Sequence, residues 1–465
     1  VSFVGMISQE IEVRNNSRFN IALELAAEFL EEVIITGYQT ISSERATGAY
    51  NIISSDQIEK PALNIGQRIV GTSSGVQATT DADGNVAFEI RGQSSLLAAA
   101  QPLIVVDGFP IQGSLNTVNP NDIANITILK DAAAASIWGA RSANGVIVIT
   151  SKMGAEKDKG VKVEFNSFMQ YSPKMDIYYL NPYASSSEII DYEQKGFDTN
   201  FFGGPWSPIP NSNTSLTGSY SKAVQAMNEH RLGFLSSDEL NGILSDLRTR
   251  DNREQIKDNM LQNPFTQQYN LSISSTGDRT NSMLTLLYEK RDKNYKGNDN
   301  SKYNLGFRSN VNLFKWLDFS FLGTFIMDDT NNNGDLYTGS PYQMLINDDG
   351  TRADIPNTFY WPNIERHVPY ASFPYSDWSY NPISEVESRS HKSKAINSRI
   401  QAGLTFKFLE GLTLDSKIQY ELLNVDTKEI YSEESFLVRR TVNMASTWDR
   451  TSNTITSNLP KGGFL

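Results

Sequence analysis

Long stretches of this chain alternate apolar and polar side chains residue by residue, and a strand with two differently solvated faces has that period. Val161, Val163 and Phe165 alternate with Lys162, Glu164 and Asn166, and Tyr269, Leu271 and Ile273 with Gln268, Asn270 and Ser272. A Thr276-Gly277-Asp278 turn then leads into residues 282–289. Tyr303, Leu305, Phe307, Val311 and Leu313 stand against Asn304, Arg308, Asn310 and Asn312, and the corner Phe314-Lys315-Trp316 returns the chain through Leu317, Phe319, Phe321, Phe325 and Met327. Ile396, Ile400, Ala402, Leu404, Phe406 and Phe408 face Asn397, Arg399, Gln401 and Lys407. After Glu410-Gly411, Leu412, Leu414, Ile418, Tyr420 and Leu422 face Thr413, Asp415, Lys417, Gln419 and Glu421.

These strands run to about ten residues or more, and tight turns alternate with very long loops, which is the pattern of a transmembrane β-barrel. Turning Arg308, Arg399 and Lys407 toward a wet lumen keeps them out of lipid, where such charges cost about 2–4 kcal/mol each at mid-depth. Seven strands are legible, with one or two more expected between Glu429 and Leu465. A barrel wide enough to hold a domain inside needs about 22 strands. Residues 155–465 are therefore expected to be the first part of a longer wall.

Composition narrows the class. No run of about 18 apolar residues occurs, so no helical span is expected. A mean hydropathy of −0.39 with 20 Tyr and 23 Phe is compatible with a barrel, whose signal per strand is weak. The charge of −12 (41 basic against 53 acidic residues) argues against nucleic acid as a partner. There is no cysteine, which removes a disulfide framework, and His230, His367 and His391 have no metal-ligand spacing. No cofactor is expected. No signal peptide is present, and the opening VSFVGM reads as mid-strand, so the true N-terminus is expected upstream.

Residues 102–154 read as two apolar strands around a helix and a tight turn. Leu103–Val106 is a buried-type strand stopped by Asp107-Gly108. Asn119-Pro120-Asn121-Asp122 is a turn and helix start, with Ile123, Ile126, Ile128 and Leu129 as the apolar face. Gly139 and Gly145 bracket a reversal into Val146–Thr150, a second buried strand. The run NPNDIANITILKDAAAASIWGARSANGVIVITSKMG, with VVDG and the upstream FEIRGQSSL of Phe88–Leu96, closely resembles the plug domain of SusC/RagA-type TonB-dependent outer-membrane transporters. NLSISSTGDRTNSMLTLLYEKRDKNYKG resembles the early barrel strands of the same family.

The resemblance implies a fold: a partial transmembrane β-barrel, the N-terminal part of about 22 strands, with an α+β plug domain and a short β-sandwich remnant at the N-terminus. Residues 1–26 resemble the end of the carboxypeptidase-regulatory-like sandwich that precedes many such plugs. Residues 27–46 hold a TonB-box-like segment and linker, whose pairing residues would be Glu32, Val33, Ile34, Ile35, Thr36, Gly37 and Tyr38. A short extended segment of that kind can add a strand to a periplasmic partner.

The plug, residues 47–154, is expected to open on a helix start at Ser54-Ser55-Asp56 and a second helical stretch from Asn64 to Val70. Its signature residues are Arg91, Gly92, Asp107, Gly108, Lys130, Asp131, Gly139, Arg141 and Gly145. Arg91 is read as an internal charge partner, with Asp107, Lys130, Asp131 and Arg141 as its network. Asp81-Ala82-Asp83-Gly84-Asn85 is either a polar hairpin turn or a calcium loop; it lacks the downstream bidentate glutamate.

Two long loops carry recognition. Residues 172–264 include a helix near Ser236–Leu247 with a Ser236/Glu239 capping box. Residues 328–395 hold Phe359, Tyr360, Trp361, Tyr375 and Trp378, which either grip ligand or pack the loops and the interfacial girdle. The resemblance implies TonB-dependent import of oligosaccharides or oligopeptides across the bacterial outer membrane. The partners implied are TonB, a SusD-like surface lipoprotein and membrane lipid, and no catalysis is expected. The rival reading is a surface glycan-binding or glycan-degrading β-sandwich protein.

Overall fold

The computed structural model describes residues 33–35, 40–42, 49–59, 62, 64–80, 86–90, 92, 101–112, 114–130, 136–153, 159–180, 184–199, 201, 220–357 and 361–462. Residues 1–26 and Asp81–Asn85, on which the sandwich remnant and the calcium question rest, lie outside the described residues.

Strands β1 (Val33–Ile35) and β2 (Thr40–Ser42) pair with each other as a small antiparallel sheet. The plug follows, with β3 (Tyr50–Ile53), β4 (Val76–Thr80), β5 (Val86–Ile90), β6 (Leu103–Val106), β7 (Phe109–Pro110), β8 (Ile123–Leu129) and β9 (Val146–Ser151). Its main sheet is five-stranded, in the order β3-β8-β9-β6-β7, and β4 and β5 form a separate hairpin. Short helices Ser55–Ile58 and Ile65–Ile69 fall where the sequence places them, the second capped by Asn64 accepting from the Gln67 amide at 2.9 Å. Ile53, Ile65, Ile126, Ile147 and Ile149 fill the core between helices and sheet.

One sequence expectation fails here. Ile123–Leu129 is a strand, preceded by a 3-10 turn over Pro120–Asp122, and not a helix. It lies between β3 and β9, buried on both sides, so its apolar residues run on nearly continuously and mimic a helical stripe. β-Branched Ile123, Ile126, Thr127 and Ile128 settle the choice. Gly145, at φ +85°, turns the chain into β9; a Cβ there would stand 2.7 Å from Ile90 Cδ1 and 3.1 Å from the Leu129 carbonyl.

Beyond the plug comes a seven-stranded antiparallel meander: β10 (Gly160–Tyr171), β11 (Phe265–Thr276), β12 (Thr280–Asp292), β13 (Asn298–Phe314), β14 (Leu317–Asn332), β15 (Arg389–Leu409) and β16 (Leu412–Tyr431). Residues 429–431 complete β16, and the later hairpin Ser446–Asp449/Thr454–Ser457 stays apart from the wall. The meander is inverted relative to a soluble sheet. Its plug-facing side buries Gln268, Asn270, Thr285, Asn304, Arg308, Asn397 and Arg399, while Val163, Phe165, Leu305, Ile400 and Ile418 stand exposed on the other face. A β-sandwich buries its apolar faces, so this polarity overturns the rival sandwich reading. The fold is a plug domain held within the first part of an outer-membrane-type β-barrel.

Short turns close one end of the wall. At the other end the long loops pack on one another. Ile190, Val224 and Leu244 from residues 172–264 enclose Tyr342 from residues 333–388. Ile177, Ile256 and Met260 meet Leu345, Ile355 and Ile383. Phe436, after β16, joins Ile364, Val368 and Trp378. The helix Ser237–Thr249 carries the expected Ser236/Glu239 capping box.

Candidate functional site

Plug and wall meet most closely where the turn before β8 presses into the polar face of the meander. Asn119 shapes that turn by accepting from the Asn121 amide at 3.0 Å. Its amide group then donates to Asp122 Oδ1 and to Asn270 Oδ1 of β11, both at 3.0 Å. Asp122, 2 % exposed, takes the Thr285 hydroxyl of β12 on Oδ2 at 2.9 Å and lies 3.4 Å from Arg308 Nη2 of β13. Burial pushes the Asp122 carboxyl above the usual carboxylate range, against the pull of Arg308 and Thr285.

Gly306 makes room for this contact. It sits opposite Thr285 in the β12–β13 register. A Cβ at 306 would come within 2.6 Å of Thr285 Oγ1, the group that holds Asp122. On the plug side Arg68 secures the same turn, donating to the Pro120 carbonyl and to Asn121 Oδ1, each at 3.0 Å.

Further polar contacts spread the junction along the wall. The Gln112 amide donates to Glu421 Oε2 of β16 at 3.1 Å, and Gln419 Nε2 donates to the Pro110 carbonyl at 3.3 Å. Lys302 of β13 donates to the Asn116 carbonyl. The plug segment 110–122 is thereby tied to β11, β12, β13 and β16. Arg399 is held more loosely: it is 2 % exposed, approaches Glu421 at 3.8 Å, and its Nε and Nη2 find no hydrogen-bond partner among the described residues. Beside the junction lies a cavity of about 220 Å³ lined by Asp107, Arg308, Gln401 and Lys417. Among the described residues no cluster of His, Asp or Glu is arranged to hold a metal ion.

The signature residues have separate structural duties. Asp107 (φ 50°) and Gly108 (φ 94°) form a two-residue turn with both φ positive between β6 and β7, the geometry that Asp-Gly favours in hairpins. The Asp107 carboxylate also accepts from the Ser151 amide at 2.9 Å and hydroxyl at 2.7 Å, which closes the end of β9. Lys130 donates to the Ser74 carbonyl at 2.6 Å, and Arg141 is exposed. Gly92 and Gly139 have positive φ, at 85° and 62°. Arg91 and Asp131 lie outside the described residues, as do Glu32, Thr36, Gly37 and Tyr38; Val33, Ile34 and Ile35 form β1.

Of the aromatic candidates, Phe359 and Tyr360 lie outside the described residues. Trp378 is buried edge-on to Phe373 at 5.1 Å, and Trp361 is half-buried edge-on to Tyr370 at 5.2 Å. Tyr375 is buried, clasped by the Asn443 side chain on both its amide (3.0 Å) and its carbonyl (2.8 Å). The Trp378 ring is thus occupied in packing the loops, and the Tyr375 ring lies under Lys461 at 5.2 Å with its hydroxyl accepting from the Gly462 amide at 2.8 Å. Sequence reasoning placed Arg308 in the lumen but missed Asn119, Asp122, Thr285 and Gly306; a glycine on the polar face of a regular strand was the available signal.

Residues 42–146 match the TonB-dependent Receptor Plug Domain family. The TonB-dependent receptor P26 of Formosa agariphila is 33% identical over 219 residues, covering 45% of this chain and 21% of that protein. The TonB-dependent receptor SusC of Bacteroides thetaiotaomicron is 35% identical over 184 residues, covering 37% of this chain and 18% of that protein. The matches span about a fifth of the length of these two curated relatives. In fold, the chain is similar to the RagAB peptide importer in its open-open state, with TM-score 0.60 and 22% identity over 86% of this chain and 43% of that one.

Proposed function

We propose that the chain carries the plug and first wall strands of a SusC-like TonB-dependent transporter, and that the whole protein imports oligosaccharides or oligopeptides across a bacterial outer membrane. The observation that carries this reading is the junction at Asp122. The plug is held against a polar wall by hydrogen bonds and an ion pair, contacts that water can replace when the plug moves. Single neutral hydrogen bonds of this kind are worth about 0.5–1.5 kcal/mol net, so a pull along the chain can break them in sequence.

In this mechanism the long loops face outward and a SusD-like lipoprotein closes over them. TonB adds a strand at residues 32–38 and pulls. The plug yields at its junction and opens a path along the polar wall. The work is mechanical, with no bond made or broken in the nutrient. The match to SusC and the likeness to a peptide importer support this reading together with the exposed apolar face of the wall.

Ile35→Pro tests it, since proline removes the backbone donor and the extended pairing. Energised uptake should fall to background while nutrient still binds at the cell surface. Thr40→Pro disturbs the same small hairpin from outside the 32–38 segment and serves as the control. Normal uptake in Ile35→Pro, or equal loss in both variants, rejects the assignment of the pulling segment.

A further inference from the structure

We propose that a cavity within the packed long loops, remote from the plug junction, binds one uncharged sugar unit of the nutrient. The inference rests on the import reading and names its substrate class. The cavity measures about 430 Å³, within the usual range of about 300–1,000 Å³ for small-molecule sites. Segments distant in sequence enclose it: the entry to the helix Lys222–Arg231, Met260, the turn around residues 335–343, residues 355–357, and the stretch 380–389.

Its aromatic lining comes from Tyr220, Tyr337 and Tyr380, which stand on three of those segments. The Tyr380 ring is fixed edge-on against Phe436 at 5.3 Å, and its hydroxyl makes no hydrogen bond among the described residues. Burial, with Glu385 and Asp335 nearby, pushes that phenol up, so it stays protonated and able to donate. Tyr337 donates to Gln343 Oε1 at 2.8 Å, and its ring folds back so closely over Gly339 that a Cβ there would strike it. Rigid rings beside short hydroxyl and amide groups suit a ligand with apolar ring faces and hydroxyl edges.

Two of the three charged groups in the lining, Arg389 and Glu385, are held by neighbours, while the Asp335 carboxylate stays largely exposed. Arg389 donates to the Asn333 carbonyl at 2.8 Å and lies 3.9 Å from Asp335. Glu385 accepts from the Phe436 amide at 2.5 Å and the Ser435 hydroxyl at 3.2 Å, and Asp335 from the Leu336 amide at 2.8 Å. An acidic ligand would meet two carboxylates against one guanidinium, whereas a hydroxyl group can donate to the exposed Asp335 carboxylate. An apolar peptide side chain would strand the polar groups. A neutral saccharide brings hydroxyl donors and apolar ring faces without the repulsion or the stranded groups.

The test is isothermal titration of the detergent-solubilised whole transporter with cellohexaose, xylohexaose and mannohexaose, and with a pool of uncharged pentapeptides. At least one hexasaccharide should bind. Tyr380→Phe, which keeps the ring, should weaken that binding about tenfold, and Thr338→Trp, which fills the cavity from an exposed position, should abolish it. Both variants should melt at the wild-type temperature. Saccharide affinity unchanged in both variants, no saccharide binding, or peptide binding in its place overturns the proposal. Energised uptake of peptides alone would sink this pocket and keep the import reading. Saccharide binding that depends on Tyr380, without energised uptake, would do the reverse.

Discussion

Asp122 of the plug and Gly306 of the wall share one site: a side chain added at Gly306 would begin 3.5 Å from Asp122 Oδ2 and 2.6 Å from the Thr285 hydroxyl that holds it. The fit of plug to barrel therefore depends on a missing methyl group as much as on opposite charges.

Gly306→Val should force Thr285 away from Asp122 and cost about 1–3 kcal/mol of plug docking, the penalty for a buried group losing its partner. Barrel assembly, read as heat-modifiable gel mobility, should be unchanged. Leakage of large antibiotics and protease cleavage within the plug should both rise.

Asp122→Asn leaves the Arg308 charge buried without its counter-ion, and Arg308→Met leaves the carboxylate likewise. Each change should cost about 3–5 kcal/mol. The double variant should cost clearly less than the sum, and a double-mutant cycle on thermal unfolding measures the difference.

The lipid-facing assignment of the wall predicts an asymmetry between neighbours on β15. Ile400→Arg, at a position 51 % exposed, should destabilise the barrel by about 2–4 kcal/mol near mid-depth. Thr405→Arg, on the polar face beside Asp415, should change little. Urea titration in lipid vesicles compares them.

Glu193 accepts from the Tyr342 hydroxyl at 2.5 Å inside the loop core, and burial raises its carboxyl above the ordinary value of 4.5. Its stabilising contribution is complete below that value and is lost as pH rises through the raised folded pKa. The loop layer should therefore melt at higher temperature in mildly acidic buffer than at neutral pH. Glu193→Gln should flatten the dependence, measured by thermal melts across that range.

The wall was legible because its period of two extends over strands too long for chance, and the turns at Lys315 and Glu410-Gly411 interrupt it cleanly. The plug was legible in its ends, Leu103–Val106 and Val146–Thr150, but not at Ile123–Leu129, where burial on both sides removes the alternation. The junction was harder still. Asn119 and Asp122 look like ordinary turn residues until Asn270, Thr285 and Arg308, more than a hundred residues later, are brought beside them. The same holds for Tyr220, Tyr337 and Tyr380, which only the packing of separate loops assembles, while the denser aromatic run near Trp378 was spent on that packing.

The shared cores of the long loops also limit how such a protein can diversify. Tyr342 from one loop fills a space made by Ile190, Val224 and Leu244 of another, and Phe436 completes the core around Trp378. Recombination that exchanged a single loop between relatives would leave an unfilled hollow on one side and a stranded aromatic on the other. New specificity is more readily acquired by inheriting the whole canopy at once, or by point changes confined to the residues it leaves uncovered.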